Sequence, residues 1–126
     1  MIKHIAILLT LLMTLSSPLV AQDFQKGLAA AQAGDYATAL QEWTPLAEAG
    51  DEAAQYNLGL MLKNGQGVPQ DNTMAHMWYN IASANGDDES GEWRDEIAKK
   101  MTTAAIEKAQ AMARECMNSG YTKCGY

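Results

Sequence analysis

The chain is short of the side chains that build reaction centres. Histidine occurs twice in 126 residues, and one copy, His4, lies in the N-terminal stretch. His76 has no carboxylate three or four residues away to orient it as a general base, so a surface or groove histidine is expected. Cysteine also occurs twice. No histidine lies near Cys116 or Cys124, so the ligand set of a metal site is missing. Ser83, Ser90 and Ser119 stand in no nucleophile elbow. Gly65-Gln66-Gly67 is followed by no lysine or serine at the place a phosphate cradle needs, and it reads as a turn. Asp87-Asp88-Glu89 lacks the alternating oxygen ligands of a calcium loop; it reads as a helix cap with extra first-turn acids. No catalytic residue, metal or cofactor is expected.

Positive charge is scarce as well. Nine Lys and Arg face fifteen Asp and Glu, for a formal charge of −6. A net acidic domain repels phosphate backbones and anionic lipid, which argues against nucleic acid and membrane surfaces as partners. The only long apolar run is Ile5 to Leu15, too short for the roughly 20 residues that span a bilayer. Lys3 and His4 precede it, Ser16-Ser17-Pro18 breaks it, and Leu19-Val20-Ala21 ends on a small residue. That order is a secretory signal peptide over residues 1–21, cut after Ala21, with an uncleaved anchor as the weaker alternative. The rest, residues 22–126, is one domain of modest core, placed in the periplasm or outside the cell without stable membrane insertion. An exported chain with an even cysteine count is expected to close a Cys116–Cys124 disulfide.

What is present is helical punctuation; no strand pattern appears. Phe24 to Ala33 carries Phe24, Leu28 and Ala31 at helical spacing, and Gly34 stops it. Asp35 caps a second helix with Tyr36, Ala39, Leu40, Trp43, Leu46 and Ala47 on one stripe. Pro45 should bend or loosen that helix. Asp51 to Asn64 forms a third, where Gly59 lets a neighbour approach closely. A glycine turn follows, with Val68 as an apolar plug. Asp71 caps a fourth helix ending at Gly86. A fifth runs roughly Glu89 to Lys100, and Thr102 caps a sixth that reaches about Asn118. Its inner face is Ala105, Ile106, Ala109, Met112, Ala113 and Cys116.

Set against itself at an offset of 36 residues, the chain superposes Asp35 on Asp71, Ala39 on Ala75, Trp43 on Tyr79, Gly50 on Gly86 and Asp51 on Asp87. The aspartates cap, the glycines stop, the alanine lets helices touch and the aromatic fills the gap between pairs. Gly50 to Asp71, G-D-E-A-A-Q-Y-N-L-G-L-M-L-K-N-G-Q-G-V-P-Q-D, with Ala75 to Tyr79 and Ala84 to Asp87, resembles the Sel-one-like repeat, a relative of the tetratricopeptide repeat. The likeness covers about Asp35 to Asp87. The first pair has only the short Ala33-Gly34-Asp35 turn, and after Asp87 the A-Q-Y-N-L-G motif is replaced by Trp93-Arg94-Asp95. The tail with Cys116 and Cys124 resembles the terminal cap of some exported members. The resemblance implies an all-α fold: a short α-solenoid of three antiparallel helix pairs, over about 23–50, 51–86 and 87–120, wound as a right-handed superhelix. Three pairs are about the minimum for a stable stack.

The resemblance also implies an adaptor or scaffold that binds another protein or a peptide on a concave face. Tyr56, Asn57, Lys63 and Asn64 are the candidate contacts, because they lie on the first helix of the conforming repeat. Met61, Met74, Met77, Met101, Met112 and Met117 read as core, with an adaptable binding groove as the alternative. A sharper version of the adaptor is a periplasmic inhibitor or immunity protein. Two rivals stand beside it. One is an enzyme of the exported cysteine-rich repeat type, acting on β-lactams, although those carry a disulfide in each repeat. The other is a self-assembling structural protein or homodimer, which an exposed Trp93 would favour.

Overall fold

The computed structural model describes residues 23–125; the signal-peptide reading falls outside the described residues. Six α-helices follow one another: α1 Phe24–Gln32, α2 Tyr36–Glu48, α3 Glu52–Asn64, α4 Asn72–Ala84, α5 Asp88–Ala98 and α6 Thr103–Asn118, with no strand among the described residues. Each helix starts where a short polar side chain takes up first-turn amides. Asp35 accepts from the Thr38 amide at 3.2 Å, Asp51 from Ala54 at 2.8 Å, Asp71 from Met74 at 3.0 Å and Asp87 from Glu89 at 3.2 Å. Asp23 and Thr102 do the same for α1 and α6. Such a cap is worth about 1 kcal/mol. The sequence boundaries shift slightly: α1 ends at Gln32, and α5 begins at Asp88 and ends at Ala98. α2 runs unbroken through Pro45, whose ring falls in the last turns, and the Ala49 amide bonds back to the Pro45 carbonyl at 3.0 Å.

The helices form an α-solenoid. α1 packs on α2 and α3 on α4, and α2 joins the first pair to the second. The last two helices behave differently: α5 and α6 each pack on α4, and neither leans extensively on the other. The main core gathers Ala39, Trp43 and Ala47 of α2, Leu58 and Met61 of α3, Met77, Trp78 and Ile81 of α4, and Ala113 and Cys116 of α6. A smaller cluster on the other flank of α4 joins Ala75 and Tyr79 to Ile97 of α5, with Tyr56 and Trp93 against it. Met61 and Met77 are buried, and Met74, Met101, Met112 and Met117 pack partly buried against the two clusters, as core methionines do.

Close approach depends on glycine at one place above all. A Cβ on Gly59 would stand 2.8 Å from Cδ1 of Tyr79. Only the absence of a side chain lets the aromatic ring lie flat on α3. Gly27 serves Trp43 in the same way, and the Trp43 indole donates to the Phe24 carbonyl at 3.2 Å. Val68, in the loop after α3, packs against the main core as the expected plug.

Cys116 and Cys124 are disulfide-bonded. The closed tail carries Tyr121, whose hydroxyl accepts from Asn85 Nδ2 at 3.0 Å, while the same Asn85 group donates to Gln55 Oε1 at 2.9 Å. Gln55 is fully buried and donates to the Ala47 carbonyl at 2.9 Å. The tail therefore ties together the ends of α2 and α4 and the start of α3.

The expected surface or groove histidine is corrected. His76 is only 2% exposed. It sits on α4 within reach of the Arg94 and Asp95 charges of α5, and the reading missed this because its burial depends on where α5 comes to rest. Its Nδ1 has no hydrogen-bond partner among the described residues. Burial holds the imidazole below its usual pKa, with the Arg94 guanidinium acting in the same direction and Asp95 against it.

Candidate protein-binding face

α3 is flanked by α1 on one side and α5 on the other, and a groove lies along each flank. The first, about 230 Å³, is lined by Leu28 and Ala31 of α1, by Asn57, Leu60 and Met61 of α3, and by Tyr36. Its rim carries a hydrogen bond from Gln66 Nε2 to the Tyr36 hydroxyl, 3.1 Å long. The second, about 330 Å³, is lined by Lys63 and Asn64 at the end of α3, by Gln70 and Asn72, and by Trp93, Glu96, Ile97 and Lys100 from and beyond α5.

Three of the four candidate contacts divide between these places. Asn57 lines the first groove, while Lys63 and Asn64 line the second. Tyr56 lines neither. Its ring packs 5.7 Å from that of Tyr79, half-buried, and burial and the carboxylates of Glu89 and Asp87 push its phenol above the usual value. Gln70, Asn72, Trp93 and Lys100 were missed. A helical stripe of Trp93, Ile97 and Lys100 was visible in the sequence, but nothing there says that it faces α3.

The second groove is polar with one aromatic wall. Lys63 Nζ stands 3.8 Å from the Trp93 ring centroid, a cation–π contact worth roughly 0.5–1 kcal/mol at an exposed site. The Trp93 indole donates to Glu89 Oε1 at 3.2 Å. Trp93 is thus half-buried, with Lys63 over its ring. Glu96 is held by Lys99 at 2.7 Å. Lys63 and Lys100 have no carboxylate within ion-pair distance among the described residues, whereas Lys26, Arg94 and Lys99 each have one.

Among the described residues no three His, Cys, Asp or Glu side chains converge on a metal position, and no described helix is long and apolar enough to cross a membrane. Two grooves sharing one helix are what a stacked repeat leaves between its successive hairpins. Residues 52–87, which are α3, the glycine loop and α4 with its stop, match the family model of the Sel1 repeat. That stretch is similar to one Sel1 repeat. No curated protein and no solved structure matches the chain. Sel1 repeats are generally protein-interaction modules and typically non-catalytic.

Proposed function

We propose that this protein is an exported adaptor whose α1–α3–α5 face seats an extended segment of a partner protein. The observation that carries the reading is the sharing of α3. Asn57 and Leu60 line one groove, Lys63 and Asn64 line the other, and all four lie within two turns of one helix. A single occupant laid across α3 would touch both. Rigid helices presenting a few polar groups along a groove suit recognition of a peptide by shape. The order of residues 1–21 and the tail disulfide support an oxidising compartment, the periplasm or the exterior. A small acidic module of this kind suits an inhibitor or immunity protein, which acts by covering its target.

The test is capture of a partner from periplasmic extract by the full chain, repeated with substitutions. Leu60→Glu should abolish capture, and Glu107→Lys, on an exposed part of α6 far from both grooves, should leave it intact. Capture that ignores Leu60→Glu, or that is lost with Glu107→Lys, would remove this face from consideration.

A further inference from the structure

We infer that the groove between α3 and α5 seats the carboxylate side chains of an acidic, extended segment within the partner protein. The inference rests on the adaptor reading and names the chemistry of its ligand. Charge is the first argument. The chain is net acidic, yet Lys63 and Lys100 meet in one groove with no carboxylate paired to either among the described residues. The one acid in its lining, Glu96, is already held by Lys99. The groove thus presents two ammonium groups on a net acidic chain. Pairing carboxylates with these two ammonium groups would set register and selectivity more than raw affinity.

The remaining lining fits the same ligand. Asn64, Gln70 and Asn72 add three amide groups to the same lining, with Gln70 Nε2 donating to Asn72 Oδ1 at 2.6 Å, and amide N–H groups donate to carboxylate oxygens. Trp93 and Ile97 supply an apolar wall for a methylene stem or a neighbouring apolar side chain. An extended segment points alternate side chains the same way, so acids at every second position can enter together. An occupant that crosses α3 to the neighbouring groove would pass through this one, since α3 residues line both.

The measurement is a titration of the full chain, following the Trp93 indole signal by NMR, at low salt of about 20 mM so that exposed charges are little screened. The probes are three hexapeptides: acetylated and amidated Glu-Ala repeats, the same with Gln for Glu, and the Gln form with a free C-terminal carboxylate. The amidated Glu peptide should bind about 10-fold tighter than the amidated Gln peptide. Lys63→Gln and Lys100→Gln should each weaken it by about 3- to 5-fold, the range of an exposed ion pair, while Lys63→Arg retains it. Equal binding of Glu and Gln peptides overturns the inference. So does preference for the free C-terminus alone, or a Glu preference that survives both lysine substitutions. A captured partner that is lost with Leu60→Glu but indifferent to both lysine substitutions would sink the carboxylate inference and spare the adaptor reading. A partner indifferent to all three would sink the adaptor reading as well.

Discussion

Tyr79 lies on Gly59 with no room between them: a methyl group there would meet the ring at 2.8 Å. Gly59→Ala should therefore destabilise the fold although alanine is the better helix former. Overpacking costs typically 1–3 kcal/mol and the helix preference returns at most about 1 kcal/mol. Gly91→Ala is the matching control. Its Cβ would meet only Ser83 Oγ at 3.0 Å, the end of a side chain that can rotate, so the change should be neutral or slightly stabilising. Urea unfolding of both variants decides; equal stability would mean that the α3–α4 contact is looser than described.

The polar link from Ala47 through Gln55 and Asn85 to Tyr121 should be non-additive. Asn85→Ala leaves the buried Gln55 oxygen without a donor and is expected to cost about 1–2 kcal/mol. Adding Gln55→Leu removes the stranded group, and the double variant should regain part of that loss, because the Ala47 carbonyl still accepts from the Gly50 amide. A double variant whose cost equals the sum of the singles would show that Gln55 does not depend on Asn85.

Much of this architecture was legible because it is local. Asp35, Asp51, Asp71 and Asp87 act on amides two or three residues away, so the caps could be read from neighbours alone. The stripe Ala39, Trp43 and Ala47 needs only helical spacing, and it is buried as expected. What was hidden depends on distant packing. His76 is buried beside Arg94 and Asp95 of α5, a helix that comes later in the chain, and no feature of Ala75 to Trp78 announces it. The fork of α5 and α6 from α4 is of the same kind: the third pair has the punctuation of the others without their mutual contact. Lys63 and Asn64 could be picked from the repeat, but Lys100 joins them only after α5 has docked.

Breaking the disulfide should cost about 2.5 kcal/mol on the chain-entropy account of an eight-residue separation. Cys116→Ser/Cys124→Ser, or reduction by a thiol, should lower the melting temperature and free Tyr121 from Asn85. Because Tyr121 rests near Gly50 and Asn85, amide exchange should quicken at the ends of α2 and α4 before it does elsewhere. Exchange that changes only in the tail would separate the disulfide from those helix ends.

Stability should fall as the solution is acidified through the ordinary imidazole range. The folded chain disfavours protonated His76, so its pKa lies below the usual 6.5. Above that value both folded and unfolded forms are neutral and the contribution is complete. Below it the unfolded chain takes up the proton first, and stability drains until the folded imidazole protonates too. His76→Leu should flatten the curve in this window. The paired carboxylates Asp35, Glu42 and Glu96 are held below their ordinary values of 3.8 and 4.5, so their losses belong to more acid solution. A wild-type curve that is level between pH 7 and pH 5 would show that His76 reaches water.

The fork at α4 carries a mechanical consequence. α5 buries only Ser90 and Ile97 and is held chiefly through α4, without a brace from α6. The wall that presents Trp93 is thus the compliant one, while α3 opposite it is clamped from both sides. Grip and breathing would be the same motion, and whatever fills the space beside Lys63 would stiffen the least supported rod in the molecule.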